Sequence, residues 1–142
     1  SEEYLAGWQR AKADFVNARK DMEKEREATV TFARALALND FFDLADTFEM
    51  AFAHEEAWNK VAPEWRVGVE SIYAKLLSIF ERHGVKPFGE KGEKFNPTRH
   101  QSIGSIHTDE ADKEEEVAEV VQRGYAMGEN IIRPARVKLF SK

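Results

Sequence analysis

The stretch YLAGWQRAKADFVNARKDM, residues 4–22, places its apolar side chains at Tyr4, Trp8, Ala11, Phe15, Ala18 and Met22. Steps of four and three alternate along it, which is the spacing of a helix whose one face meets another helix. The stretch overlaps a 55-residue run without glycine or proline, Trp8 to Ala62. At the same spacing the seam continues through Glu25, Thr29, Phe32 and Leu36. Residues 8 to 36 alone would then extend over roughly 43 Å at about 1.5 Å per residue. A compact domain of 142 residues cannot bury such a helix by itself, so the seam of Tyr4, Trp8, Ala11, Phe15, Ala18, Met22, Phe32 and Leu36 predicts a second copy of the chain. Large residues alternate with alanine along it, which lets a facing helix approach closely around each aromatic ring. Glu25 and Thr29 fall where apolar side chains belong, so Glu23 to Thr31 is the expected weak spot.

Outward from this helix the punctuation is uneven. All four prolines and seven of the eight glycines lie at or after Pro63. Asn39 and Asp40 offer a cap and restart, followed by an amphipathic stretch carrying Phe41, Leu44, Ala45, Phe48, Ala51 and Phe52. Residues 54–62 lose the period and read as a loop. Pro63 opens a further helix with Trp65, Val69, Ile72, Tyr73, Leu76, Leu77 and Phe80 on its apolar positions, and Gly84 is placed to close it in the left-handed conformation. Beyond Gly84, short extended pieces are expected at Val85 to Phe88, His100 to His107 and Glu116 to Arg123. A hairpin turning near Gly128 to Asn130 would pair Val117 to Ala126 with Ile131 to Phe140. The class is therefore α+β: a long coiled-coil helix at about 2–38, short helices at about 40–53 and 63–83 that double into a dimeric four-helix bundle, and a small, mostly antiparallel β domain. The expected division is a helical dimerisation region, 1–84, and a β domain, 85–142.

Composition excludes several functions. One residue in three is charged and the formal net charge is −5, which gives no global footprint for nucleic acid. Seven basic residues of the first helix face five acids within the same stretch, which weakens any phosphate-tracking stripe there. The mixed charges read as a solvated coiled-coil flank, with Arg19 and Lys20 as its candidate functional subset. The chain has no cysteine, which removes disulfides and thiol chemistry and suits a reducing compartment. No apolar run approaches a membrane span and no cleavable targeting segment is present. The chain starts at Ser1 without methionine, as a piece of a longer protein would.

Catalytic and metal motifs are not found. GEKGEK at Gly89 to Lys94 lacks the Gly-Lys-Ser/Thr ending of a phosphate loop, and no helical pattern follows it. His54, His83, His100 and His107 never adopt the i, i+4 spacing of paired metal ligands. No serine sits in a nucleophile elbow, and the acids from Asp109 to Glu116 read as a solvated loop. The expectation is a protein that is not an enzyme and uses no cofactor and no metal.

Four blocks can nevertheless be recognised: AKADFVNARK at Ala11 to Lys20, HGVKPF at His83 to Phe88, FNPTRHQSI at Phe95 to Ile103, and GYAMGENIIRPARVKL at Gly124 to Leu139. Together they resemble the GrpE family, the nucleotide exchange factors of DnaK-type heat-shock chaperones, from about Leu5 to Leu139. The chain departs from the family pattern at Ser102, at the step Phe41 to Leu44, and at Met50, where an arginine is often found. The resemblance implies a homodimer with parallel long helices; charge and hydropathy lead to the expectation of no nucleic-acid and no membrane partner, and the expected location is the cytoplasm or an organelle matrix of bacterial origin. It further implies that the β domain and adjoining helix bind the chaperone's ATPase domain, favour its open cleft and promote ADP release. Carried over by motif, the contact surface comprises Arg19 and Lys20 on the long helix, Gly84 and Val85 at the junction, and Pro97, His100 and Gln101 in the β domain. The alternative is a structural coiled-coil adaptor whose β domain binds an unrelated protein.

Overall fold

The computed structural model describes residues 1–142. The chain divides into two compact units, Ser1–Ala37 and Leu38–Lys142. The first is wholly helical apart from Ser1, whose side-chain oxygen accepts a hydrogen bond from the Tyr4 backbone N–H at 3.2 Å. It belongs to helix α1, Glu2–Ala53. The helix is continuous through Glu25 and Thr29, and Tyr4, Trp8, Phe15, Met22, Phe32 and Leu36 are all exposed along it.

The restart expected at Asn39 and Asp40 does not occur. Both side chains are exposed and need not turn back onto the backbone, while Leu38, Phe42 and Ala45 keep a helical spacing and are buried. A continuous apolar stripe facing a core outweighs two residues that merely favour a cap. The short helix expected at about 40–53 is therefore continuous with the long helix before it, and α1 ends at Ala53. The loop expected over residues 54–62 holds a helical turn, α2, Glu55–Asn59, because Trp58 folds back to meet Phe52 edge-on at 4.9 Å between ring centroids. Helix α3, Pro63–Arg82, begins with proline in its first turn after an extended Ala62, and ends where Gly84 takes φ +77°.

Six strands follow: β1, Val85–Phe88; β2, His100–His107; β3, Val117–Gln122; β4, Gly124–Met127; β5, Asn130–Arg133; and β6, Ala135–Ser141. They form two three-stranded sheets, ordered β1-β4-β5 and β2-β6-β3. All pairs are antiparallel except β2 with β6. The expected long hairpin is present but split. Val120 pairs with Val137 in one sheet and Ala126 with Ile131 in the other. The break falls at Arg123, whose carbonyl accepts from the Arg133 side chain at 2.6 and 3.2 Å, and at Pro134, which has no N–H to give.

The main core joins α1, α3 and the β1-β4-β5 sheet through Leu38, Phe42, Ala45, Leu76, Phe80, Val85 and Tyr125. The compact unit thus starts at Leu38, whereas a boundary between residues 84 and 85 would cut through this core. Its centre is aromatic. Tyr125 stacks on Phe42 with centroids 4.1 Å apart and planes 1° from parallel, and Phe80 meets both edge-on. Such pairs contribute about 0.5–1.5 kcal/mol each beyond the area they bury. A smaller cluster of Val117, Ala135 and Val137 lies on the β2-β6-β3 sheet, with Phe88 packed against it. Phe88 pairs across the ladder with Gly124, where any Cβ would collide with the Phe88 ring and come within 2.7 Å of the Ala135 backbone nitrogen.

A polar cluster fastens the rim of the main core. The Arg133 guanidinium donates two hydrogen bonds of 2.8 Å to the Asp46 carboxylate and lies 5.0 Å from the Tyr125 ring centroid. Gln122 donates to the same carboxylate at 2.9 Å. One turn further along α1, Glu49 accepts from the Tyr73 hydroxyl at 2.6 Å and faces Arg123 at 3.5 Å. Both partners of the Asp46–Arg133 pair are mostly buried, at 15% and 16% exposure, so removing either leaves a desolvated charge without its counterpart. Arg133→Ala should lower the unfolding free energy by about 3 kcal/mol or more, Asp46→Ala should do likewise, and the double variant should cost less than their sum. Chemical denaturation of the four proteins checks this.

Burial and the hydrogen bond to Glu49 push the Tyr73 hydroxyl from 10.0 up to about 12. A folded-state value above the unfolded one gives a contribution fully present below pH 10 and lost as pH rises through about 12. The stability advantage of the wild type over Tyr73→Phe should therefore stay level below pH 10 and shrink above it. Denaturant titrations of both proteins from neutral to alkaline pH measure this difference; an advantage that grew with pH would contradict the assignment.

Candidate functional site

The segment before β2 is built from its own side chains. Asn96 closes a tight turn by accepting the Thr98 backbone N–H on its side-chain oxygen at 2.9 Å, and its carbonyl receives the His100 backbone N–H at 2.8 Å. The His100 ring is buried behind this turn at 4% exposure. Its Nδ1 accepts the Asn96 backbone N–H at 3.0 Å, which leaves Nε2 as the nitrogen that donates to Glu93 at 3.1 Å. The Phe95 ring lies alongside, 6.0 Å between centroids. Every polar atom of the imidazole is thus used, and the product is a rigid loop with Pro97 and Thr98 exposed at its tip. Gln101 follows as an exposed residue of β2.

From Gln101 to His107 every residue of β2 is exposed, and the strand lies at the edge of its sheet. A bulge at Ile103 interrupts its ladder with β6. An exposed, interrupted edge resists indiscriminate strand pairing while still offering side chains and backbone to one fitted surface.

Gly84 marks the passage from α3 to β1. Its N–H bonds the Glu81 carbonyl at 2.9 Å, and a Cβ placed on it would meet only Met127, at 3.9 Å. Space is available there, so the constraint on residue 84 is its left-handed backbone. Val85, next in sequence, is completely buried in the main core.

The seven residues picked out as partner contacts therefore fall into three places. Arg19 and Lys20 are exposed on α1 in the first unit; Gly84 and Val85 stand at the start of β1; Pro97, His100 and Gln101 stand at the start of β2, in the other sheet. Five present themselves to solvent. Val85 and His100 do not: both are buried. Glu93 and Asn96, which orient His100, carried only the generic signal of a charged turn and an Asn-Pro step. Asp46 and Arg133 are 87 residues apart, so no local pattern links them.

No group of three histidine or acidic side chains is gathered as a metal ligand set would be. His107 pairs with Asp109 at 2.8 Å, but both are exposed. The chemistry on offer is recognition by shape and hydrogen bonding from a loop, a strand edge and a helix face.

Known proteins are similar to this chain in sequence. The GrpE family model matches residues 1–141. Protein GrpE of Borreliella burgdorferi is 37% identical over 131 residues, covering 92% of this chain and 69% of that protein. Protein GrpE of Sulfurovum is 34% identical over 140 residues, 95% of this chain and 75% of that protein, and that of Caldanaerobacter subterraneus is 31% identical over 139 residues, 98% and 66%. With the family pattern running through the long helix, α3 and all six strands, the chain belongs to the GrpE family of co-chaperones.

Proposed function

We propose that this chain is a nucleotide exchange factor that binds the ATPase domain of a DnaK-type chaperone and promotes ADP release by favouring the open cleft. The observation that carries the reading is the family match over residues 1–141, which takes in both β blocks as well as the helix. Such a mechanism works by differential binding. A partner that prefers the open state by about 5.5 kcal/mol shifts the equilibrium roughly 10⁴-fold, with no catalytic side chain and no cofactor of its own. The rigid Pro97 loop and the exposed β2 edge are surfaces suited to that kind of discrimination.

The working form is a homodimer. Large apolar side chains stand exposed along the α1 seam and again on α3, where Trp65 is 70%, Val67 66% and Ile72 58% exposed. Apolar surface of this extent calls for a partner, and a second copy supplies matching faces. Arg19, Lys20, Gly84, Pro97 and Gln101 form the exposed part of the chaperone contact, with Val85 and His100 supporting it from within. No helix is long and apolar enough to cross a membrane; the proposed location is the cytoplasm or an organelle matrix of bacterial origin.

Adding the protein to a DnaK-type chaperone loaded with a fluorescent ADP analogue should accelerate release, and unchanged release would sink the reading. Gln101→Ala should reduce the acceleration severalfold with unaltered thermal unfolding. At the junction, Gly84→Asn tolerates the left-handed backbone and should keep most of both stability and exchange, whereas Gly84→Val should lose about 1–2 kcal/mol of stability. If exchange falls far more in Gly84→Asn than its stability does, residue 84 touches the chaperone directly.

A further inference from the structure

The Pro97 loop is tied to the rest of the protein by two different kinds of bond. On either side of it the backbone is anchored to neighbouring segments: the Val117 N–H donates to the Glu93 carbonyl at 2.8 Å, the Phe95 N–H to the Glu115 carbonyl at 3.2 Å, and the Ala135 N–H to the Arg99 carbonyl at 2.9 Å. Between these anchors, the hydrogen bonds of Asn96 and Thr98 stay within the segment from Asn96 to His100. One of them, from the Asn96 N–H to His100 Nδ1 at 3.0 Å, joins the start of the loop to an enclosed ring.

That bond exists only while Nδ1 keeps its lone pair. The neutral imidazole with its proton on Nε2 meets this need, and Nε2 donates to Glu93 at 3.1 Å. A proton taken from water onto Nδ1 makes both nitrogens donors. The new Nδ1–H then points at the Asn96 N–H, donor against donor, and the loop loses its inner hydrogen bond. The far end of the ring gains, because Nε2–H and the Glu93 carboxylate become an ion pair. The ring therefore stays with Glu93, and the loop is what yields.

The surrounding charges leave this exchange to Glu93, the carboxylate in ion-pair range of the ring. Lys94 and Glu116 stand opposite each other in a backbone bridge, and Glu115 meets Phe95 through its carbonyl. Arg99 lies over the Phe88 ring at 4.3 Å, and Arg136 of β6 is opposite Gln101, whereas the residue opposite His100 is the uncharged Ala135. The His100 side chain is 1% exposed and that of Glu93 37%. Water thus reaches the carboxylate but not Nδ1, so proton uptake and opening of the loop are one event.

We propose that His100 and Glu93 form a proton-operated latch on the Pro97 loop: the neutral ring holds Asn96 to Thr98 shut, and a proton on Nδ1 releases them and weakens binding to the ATPase domain. Glu93 is the positioning residue, since it sets which nitrogen faces the loop. Release is local, because the anchors at Glu93, Phe95 and Arg99 are backbone bonds. The inference rests on the loop being a chaperone contact, as proposed above.

NMR of the full chain, without chaperone, follows the latch directly. Histidine ordinarily changes charge between about pH 5 and 8. Across that range the His100 ring signals and the Asn96 and Thr98 amides should shift with a single midpoint, while the Phe80 and Tyr125 amides stay in place. His100→Asn keeps an oxygen for the Asn96 N–H but has no proton to gain, so the two amides should become indifferent to pH. Glu93→Gln still accepts from Nε2 yet removes the charge that favours a protonated ring, and its midpoint should fall by about 1 pH unit or more. With a DnaK-type chaperone, the acceleration of ADP-analogue release should drop severalfold through the wild-type midpoint. In Glu93→Gln the drop should come at correspondingly lower pH, the chaperone's own response being common to both. Amides that do not follow the ring, a ring that stays neutral down to about pH 5, or an acceleration equal on both sides of the midpoint overturns the latch and leaves exchange standing. No acceleration at the upper end of the range overturns the exchange reading and the latch's role in binding together.

Discussion

Tyr125 lies flat on Phe42, and the second compact unit is arranged around that contact. Phe42 comes from α1 and Tyr125 from the middle of β4, while Phe80 closes the group from the last turns of α3. The stack is apolar and could in principle rotate. Arg133 prevents this by lying over the Tyr125 ring while gripping Asp46, one turn along α1 from Phe42. A buried ion pair adds little net stability because desolvation offsets most of its attraction. Its contribution here is orientation of the Tyr125 ring and of β5 against α1.

Much of this was legible in the sequence. The alternation of Tyr4, Trp8, Ala11, Phe15, Ala18 and Met22 announces a long helix, Pro63 and Gly84 mark both ends of α3, and the strands lie close to their expected positions. What could not be read locally was decided by burial. Asn39 and Asp40 have the chemistry of a cap, yet the stripe through Leu38, Phe42 and Ala45 carried the helix past them. The split of the long hairpin likewise depends on Arg133 reaching the Arg123 carbonyl, a contact that no period of two records.

The candidate site illustrates a related limit. A histidine beside an exposed proline invites assignment as a contact residue, and the FNPTRHQSI block marks that region as more than a turn. The ring itself is enclosed, with one nitrogen accepting from Asn96 and the other donating to Glu93. His100 therefore shapes the loop from within, and Pro97 and Gln101 carry the exposed chemistry. Sequence singled out the segment, and the fold decided which of its residues face outward.

The position of β6 bears on how the chain is made. It lies between β2 and β3 in its sheet but follows both in sequence. On a ribosome, β2 and β3 are therefore synthesised before the strand that joins them exists. Closing β2 onto β6 also spans a long intervening segment, which makes the pairing non-local and slow to form. During synthesis the helices can form while β1, β2 and β3 wait with unsatisfied backbone, since β4, β5 and β6 follow one another at the end of the order. This member of a chaperone system thus passes through an interval in which its own strand edges are exposed, ending only when residues 135–141 emerge.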